Sequence, residues 1–213
     1  MFLLFFTLCI AKNSNGWWYI KNGKVDFSAG DYSFAANTSQ IIDVKTSGST
    51  GTLTLYNKSG SYFTKVMSMS CYVGRNGITS DKIAGDGKTP SGVYTLGQAF
   101  GNASDPGSTR SYLKVNSNHY WVADSTCQYY NQLVDASKTG IVWNDAEHLI
   151  DYPKAYKYAI AINYNTSCTP YKGSAIFLRC SLGKATSGCV SVSEANMKKI
   201  LQSLADDTRI YIH

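Results

Sequence analysis

The stretch that decides the fold reads Gly173-Ser174-Ala175-Ile176-Phe177-Leu178-Arg179 and, after a polar loop, Thr186-Ser187-Gly188-Cys189-Val190-Ser191-Val192-Ser193. Its apolar first part predicts a buried strand, and its second part places a cysteine in a turn of small residues shortly before a helix start. Gly188 lets the backbone approach a ligand closely, and the neighbouring amides could form an oxyanion hole. This order predicts Cys189 as a nucleophile, with Thr186, Ser187 and Gly188 as substrate-binding residues.

Two further stretches lie upstream of this one. They are Ala84-Gly85-Asp86-Gly87-Lys88-Thr89-Pro90-Ser91-Gly92-Val93-Tyr94-Thr95-Leu96 and Trp143-Asn144-Asp145-Ala146-Glu147-His148-Leu149-Ile150-Asp151-Tyr152-Pro153. The glycines and the proline of the first predict a tight loop that leads into a strand. The phosphate-binding pattern Gly-x-x-x-x-Gly-Lys-Ser/Thr is absent, which argues against a nucleotide site.

Together the three stretches resemble the catalytic domain of the L,D-transpeptidase (YkuD-like) family, in particular the bacterial branch with a Gly-Asp-Gly-Lys-Thr-Pro-x-Gly loop. The resemblance runs from roughly Thr52 to Ile212. It implies a mainly β, β-sandwich-like catalytic domain with one or two helices. It also implies peptidoglycan stem peptides as substrate, a thioester intermediate on Cys189, and neither a metal nor another cofactor.

The sequence departs from that family at the position of its base. Members of this branch carry a histidine at the end of the Gly-Ser-Ala-Ile-Phe-Leu strand, where this chain has Arg179. An arginine can lower the pKa of a nearby thiol by its charge, but it does not give up a proton in proteins. His148 is therefore the candidate base, or else a structural residue. A second function stays open, that of a catalytically impaired relative that binds peptidoglycan.

The N-terminal residues predict export and one small accessory unit. Met1 to Ala11 are almost wholly apolar, a run too short for the roughly twenty residues that span a bilayer, so no stable membrane span is expected. The run fits a signal segment, or alternatively a buried first strand. Residues 12–30 contain an aromatic hairpin with an Asn22-Gly23 turn that resembles one cell-wall-binding repeat. Residues 31–213 are expected to form the catalytic domain that the resemblance implies.

The remaining periodicity predicts many strands and few helices. Thr52–Tyr56 and Tyr62–Val73 are expected to form a long hairpin, and 97–111 a surface loop. Met197, Ile200, Leu201 and Leu204 have helical spacing, with Ser193 as N-cap. A second, short helix is expected near 145–149. Other expected strands are 112–115, 119–123, 158–164, 174–178 and 209–212.

Composition narrows the function classes. The net charge of +6 is spread along the chain without a basic block, so nucleic acid is not an expected partner, and no protein partner is evident. Cys168, Cys180 and Cys189 are spaced too widely for a common zinc site. If Cys9 leaves with a leader, the other five cysteines suggest two disulfides and one free thiol. That count favours an oxidising, extracellular compartment. The resemblances to the transpeptidase family and to a cell-wall-binding repeat imply cell-wall association in a Gram-positive-like bacterium.

Overall fold

A computed structural model describes residues 9–13, 16–21, 24–25 and 31–213. Within them, strands dominate and α-helix is confined to α1 (Ala136–Thr139) and α2 (Glu194–Leu201), as expected for a mainly β domain. The strands are β1 (Cys9–Asn13), β2 (Gly16–Lys21), β3 (Lys24–Val25), β4 (Gln40–Ser47), β5 (Thr50–Ser59), β6 (Tyr62–Tyr72), β7 (Ile78–Thr79), β8 (Thr89–Pro90), β9 (Gly92–Gly101), β10 (Tyr112–Lys114), β11 (His119–Val122), β12 (Leu133–Asp135), β13 (Ala146–His148), β14 (Ala159–Ile162), β15 (Phe177–Cys180), β16 (Val190–Val192) and β17 (Arg209–Ile212).

The main sheet has the strand order β16-β15-β14-β9-β17-β4-β5-β6-β1-β2-β3. The β5–β6 hairpin, predicted from its alternating residues, bends so far that Tyr72 at its end pairs with Ser191 of β16. This pairing closes the sheet on itself and leaves an enclosed apolar interior. β17 lies inside the sheet, parallel to β4 and antiparallel to β9.

Of the four apolar clusters among the described residues, the two with the most buried residues position the site. The first is enclosed by the main sheet and includes Met197, Ile200 and Leu201 of α2, whose helical spacing predicted this buried face. Ser193 caps α2, since its side chain accepts a hydrogen bond from the Asn196 amide. The second cluster lies on the other face of β15, around Phe177, and includes Cys189.

A separate three-stranded sheet, β12-β11-β13, stands beside this second cluster. Trp121 of β11 packs its ring edge-on against the Phe177 ring, with a centroid distance of 4.8 Å. Trp121 also pairs across the sheet with Glu147 of β13. The small sheet therefore carries residues of the 143–153 stretch to the neighbourhood of β15 and Cys189.

The N-terminal segment extends the main sheet by β-pairing. β1 pairs with β6 and with β2, and β2 pairs with β3. Ile10 and Ala11 of β1 are buried. The expected Asn22-Gly23 turn and residues 1–8 lie outside the described residues.

Two expectations about elements are wrong. Residues 145–149 do not form a helix, because Ala146–His148 pair with β11 as a strand before a single 3-10 turn. Residues 97–101 are not loop but the end of β9. Gly97 and Gly101 serve close packing: an added Cβ would lie 2.5 Å from Asn163 Oδ1 and 2.3 Å from the Lys157 carbonyl oxygen, respectively.

The described residues also show the state of the cysteines and the length of the helices. Cys71, Cys127, Cys168, Cys180 and Cys189 are all free thiols, so the two expected disulfides are not found among them. Cys71 and Cys180 are buried in the first cluster, where a thiol packs as a small apolar group. Within the same part of the chain, no helix is long and apolar enough to cross a bilayer.

Candidate active site

A cleft of about 510 Å³ opens where β15, β16 and the small sheet meet. Its walls come from four loops or segments, 82–85, 152–156, 173–176 and 182–188, and from Glu147 of β13. The cleft brings together Cys189, Arg179, Thr186, Ser187 and Gly188, the residues that the sequence indicated as a site. His148 is not among its lining residues.

Cys189 lies at the base of this cleft, directly before β16, and is 8% exposed. Its sulfur accepts a hydrogen bond from the Phe177 amide at 3.4 Å, and its thiol donates to the Ala175 carbonyl oxygen, also at 3.4 Å. Both partners belong to the strand region that the sequence identified as the first part of the motif. The sulfur is thus held in place by backbone groups of the neighbouring segment.

The turn before Cys189 is stabilised by Thr186. The Thr186 hydroxyl donates to the Cys189 carbonyl oxygen at 2.6 Å and accepts from the Gly188 amide at 3.1 Å. Gly188 has φ +154°, and an added Cβ would lie 3.1 Å from Ile176 Cδ1 and 3.2 Å from the Lys88 carbonyl oxygen. A glycine is needed here for both reasons. The Gly188 amide is engaged by Thr186. Ser187 is exposed and accepts a hydrogen bond from Arg75.

Asn131 binds the backbone of Ala175, the residue whose carbonyl oxygen accepts the Cys189 thiol hydrogen bond. Its Oδ1 accepts from the Ala175 amide at 3.1 Å and from Trp121 Nε1 at 3.0 Å. Ala175 has φ +56°, an unusual backbone conformation for a residue with a side chain. The Asn131 contact stabilises that conformation, which aims the Ala175 carbonyl at the Cys189 thiol.

Burial and charge act in opposite directions on the Cys189 thiol. Burial raises its pKa above the usual range, and the Arg179 guanidinium opposes this by its charge and a side-chain hydrogen bond. Glu147 raises the same pKa further, because a carboxylate disfavours a thiolate nearby. The balance is a raised pKa, so the resting thiol keeps its proton at neutral pH.

Glu147 and Tyr156 form a polar pair in the cleft wall. The Tyr156 hydroxyl donates a hydrogen bond to Glu147 Oε2. The Tyr156 ring packs edge-on against Phe177 with a centroid distance of 5.4 Å, inside the cluster that contains Cys189. Burial raises the pKa of Glu147, while the hydrogen bond from Tyr156 and the charge of Arg179 oppose that rise.

His148 has a different environment from its neighbour. Its Nδ1 lies 3.0 Å from Asp151 Oδ2, its Nε2 lies 2.9 Å from the Ser117 carbonyl oxygen, and its ring stacks on Tyr120. Successive residues of a strand point to opposite faces of the sheet. In β13 this alternation places Glu147 at the cleft and His148 away from it.

The Gly-Asp-Gly-Lys-Thr-Pro loop lies at the rim of the cleft. An ion pair between Lys82 and Asp86 fixes its position. Lys82 Nζ lies 2.7 Å from Asp86 Oδ1, and the Lys82 side chain is 4% exposed. Asp86 also accepts from the Lys88 and Ile83 amides. The loop packs on Gly74, where an added Cβ would lie 2.4 Å from the Gly87 carbonyl oxygen. No described residues form a cluster of His, Cys, Asp and Glu that could hold a metal ion.

Sequence reasoning did not identify Glu147, Tyr156, Asn131 and Lys82 as parts of the site. Glu147 lay in a quoted stretch, and strand alternation next to His148 was the signal that could have selected it. Tyr156 and Asn131 had no such signal. They reach the cleft by contacts between segments distant in sequence, such as the Asn131–Ala175 hydrogen bond.

Comparisons with known proteins identify two sequence families to which parts of the chain are similar. The sequence model of the L,D-transpeptidase catalytic domain matches residues 39–212, and that of a choline-binding repeat matches residues 9–26. No curated protein matches the sequence at a significant level.

Several solved structures are similar in fold. Bd1075 of Bdellovibrio bacteriovorus shares 17% identity, with a TM-score of 0.46 over 84% of this chain and 49% of that one. The helical cell shape determining protein Pgp2 of Campylobacter jejuni shares 16%, with 0.48 over 82% and 47%. L,D-transpeptidase 1 of Mycobacterium tuberculosis shares 15%, with 0.35 over 82% and 61%. The chain thus spans about half the length of the first two.

Proposed function

Because this chain belongs to the L,D-transpeptidase catalytic-domain family, we propose that it is an exported, cell-wall-associated cysteine acyltransferase that forms or exchanges peptide cross-links in peptidoglycan. The observation that carries the proposal is the position of Cys189. Its thiol lies at the base of a cleft, next to a cationic side chain and after a glycine that packs closely on Ile176 and the Lys88 carbonyl oxygen.

In the proposed reaction the Cys189 sulfur attacks the carbonyl carbon of the third residue of a donor tetrapeptide. The bond to the terminal D-Ala nitrogen breaks, and a thioester remains on Cys189. An amine of a neighbouring stem peptide, or water, then attacks that thioester and frees the thiol. Exposed Lys184 and half-buried Arg179 line the cleft and complement the carboxylates of stem peptides.

Arg179 stabilises the thiolate in this proposal. Its guanidinium stays charged at all relevant pH values, and it lowers the pKa of Cys189 against the effect of burial. Arg179 Nη1 also donates to the Cys180 carbonyl oxygen at 2.7 Å, which fixes the side chain along β15. A fixed cation beside the sulfur favours the charged nucleophile that attack requires.

The proposal is tested by intact-mass spectrometry of the protein after incubation with a tetrapeptide muropeptide. We expect an adduct equal in mass to the donor minus D-Ala on the parent protein, and none on a Cys189→Ala variant. The variant removes the sulfur with little change in volume, so folding is expected to survive and circular dichroism checks it. An identical adduct on the variant would place the acylation at another residue.

One observation favours a second function. Arg179 occupies the position of the family's histidine, and His148 is held away from the cleft by Asp151 and Ser117. A chain with this site and no turnover is a peptidoglycan-binding relative. Absence of both adduct and product, combined with retention on purified peptidoglycan, would favour that function over the acyltransferase.

A further inference from the structure

The proposed reaction needs a group that accepts and donates protons, and neither Cys189 nor Arg179 can supply it. The buried thiol keeps its proton at neutral pH, so some group must remove that proton when the sulfur attacks. The departing amine must then receive a proton. Arg179 cannot exchange one, and both ring nitrogens of His148 have partners outside the cleft.

Glu147 is placed to meet that requirement. It lines the same cleft as Cys189, it interacts electrostatically with both Cys189 and Arg179, and it is partly open to solvent. Its backbone is fixed by pairing with Trp121. The Trp121 ring packs on the Phe177 ring, with a centroid distance of 4.8 Å. The Phe177 amide in turn binds the Cys189 sulfur. The carboxylate and the thiol are thus fixed on one connected frame.

Tyr156 fixes the direction of that carboxylate. Its hydroxyl donates to Glu147 Oε2, and the other carboxylate oxygen is the one that the proposed proton transfers use. The ring is 4% exposed and packs against Phe100 and Phe177, so its position is rigid. Burial raises the pKa of Tyr156 well above its usual range, and the hydroxyl therefore remains a donor.

We propose that Glu147 is the proton acceptor and donor of this site, in place of the histidine that its family uses, and that Tyr156 is its positioning residue. The inference rests on the proposed function. It assigns the proton transfers of that reaction to a carboxylate of β13, whereas Arg179 supplies only charge.

The protons balance over both half-reactions. In the first, Glu147 takes the thiol proton through one bridging water, the sulfur–carbon bond forms, and the carbon–nitrogen bond to D-Ala breaks. The protonated Glu147 then gives its proton to the departing amine. In the second, the carboxylate takes a proton from the attacking amine or water. It returns that proton to the sulfur as the thioester breaks.

The charged and titratable groups around Glu147 suit a carboxyl that exchanges protons. Burial and Asp145 raise its pKa, and Tyr156 and Arg179 lower it. Cys189 and Tyr152 interact with it electrostatically from the cleft base and from the 152–156 segment. The net effect is a raised pKa, which brings the carboxyl nearer to neutral pH, where a general base works best.

The test compares acylation with thiol reactivity in Glu147→Gln. Removal of the carboxylate lowers the pKa of Cys189, so alkylation of that thiol by iodoacetamide at pH 7 becomes faster. If Glu147 also moves the protons, acylation by the tetrapeptide muropeptide becomes slower, by about 100-fold or more. Faster alkylation together with slower acylation is the expected result, because an electrostatic effect alone would speed up both. An unchanged circular dichroism spectrum and thermal unfolding midpoint show that the variant has kept its fold, because a loosened variant would also expose the buried Cys189 thiol.

Two further variants complete the experiment. Tyr156→Phe removes a hydrogen bond that stabilises the carboxylate, so the acidic limb of the acylation profile should move to higher pH, which lost packing alone would not produce. Glu194→Gln exchanges a carboxylate paired with Lys157 outside the cleft and should acylate at the parental rate.

The outcomes separate the inference from the function on which it rests. A parent that forms the adduct and a Glu147→Gln variant that forms it as fast, or faster, would overturn the role of Glu147 alone. A parent that alkylates normally but forms no adduct overturns the proposed function and this inference with it. An unshifted acidic limb in Tyr156→Phe would overturn the positioning role of Tyr156.

Discussion

Arg179 stands where the family has a histidine, and it can supply only one of that histidine's two effects on a nearby thiol. A histidine next to a thiol supplies positive charge when protonated and exchanges protons, whereas arginine supplies charge only. The Arg179 charge lowers the pKa of Cys189, whereas burial and Glu147 raise it. In the proposed reaction, the proton acceptor must therefore be another residue of the cleft.

Arg179→Gln should make Cys189 less reactive. Loss of the guanidinium removes the charge that lowers the pKa of the thiol, so that pKa rises and the thiolate fraction at pH 7 falls. Since one pKa unit is a tenfold change in that fraction, we expect iodoacetamide alkylation to slow by about 10-fold. Because the chain carries other free thiols, peptide mass mapping of the Cys189 site measures the rate. It is followed between about pH 6 and about pH 9, a range that includes the usual thiol pKa of ~8.5.

Arg179→Lys is the matched control, because it keeps a cation on the same strand. Its alkylation rate should remain closer to that of the parent than to that of Arg179→Gln. Equal rates for the parent and Arg179→Gln would contradict the electrostatic role of Arg179.

The sequence locates part of this site for a physical reason. Thr186, Gly188 and Cys189 are neighbours along the chain, so their turn and its glycine are visible in the local pattern. Glu147 and Tyr156 act through β-pairing with Trp121 and a ring contact with Phe177, which join distant segments. Such contacts depend on the completed fold: strand alternation next to His148 is the local sign of Glu147, and Tyr156 has none.

At the level of elements, the loop that precedes β9 depends on a glycine outside it. Gly74 follows β6. The position that a Cβ would take on Gly74 is filled by the backbone of residues 87–89. The Gly74 amide also donates to Thr89 Oγ1 at 2.8 Å. The rim of the cleft is therefore set by direct backbone contact between the end of β6 and this loop.

Gly74→Ala should destabilise the protein and displace the rim. Its Cβ would lie 2.4 Å from the Gly87 carbonyl oxygen and 2.7 Å from the Lys88 α-carbon, and rigid backbone cannot yield as a side chain does. Overpacking of this kind costs about 3 kcal/mol of unfolding free energy. Urea unfolding measures it. Gly60→Ala, in a turn with no atom near the added Cβ, should cost only about 1 kcal/mol.

Local pattern predicts those elements whose residues alternate or repeat clearly. The predicted bounds of β17, 209–212, match the structure, and so does the apolar face of α2. Residues 97–101 and 145–149 were misassigned because tertiary contacts decide them. Glycines that allow close packing in β9 look like loop glycines, and β13 is a strand only because β11 pairs with it.

For the whole molecule, the sequence predicts the family and the mainly β class but not the order of strands. That order depends on pairings such as Arg209 with Ile41 and Ser191 with Tyr72, which link opposite parts of the chain. β17 joins two groups of strands, β4–β6 on one side and β9, β14 and β15 on the other. The stability of the domain should therefore be sensitive to packing in β17.

Ile210→Ala tests that sensitivity. Ile210 is fully buried in the first apolar cluster, and its truncation should lower the unfolding free energy by about 3 kcal/mol. Val93→Ala, on the adjacent strand but 37% exposed, should cost less than about 1 kcal/mol. Thermal unfolding followed by circular dichroism measures both, and equal losses would contradict a central role for β17.

The position of β17 also affects how copies of the chain can associate during synthesis. Until residues 209–212 have been synthesised, β4 and β9 each present an unpaired edge, and neither edge can be covered by its own chain. A β17 strand from a second copy of the chain has the same residues and would therefore fit the same gap. We therefore expect exchange of β17 between two copies of the chain to be a route of misassembly, which rapid insertion of the chain's own β17 would limit.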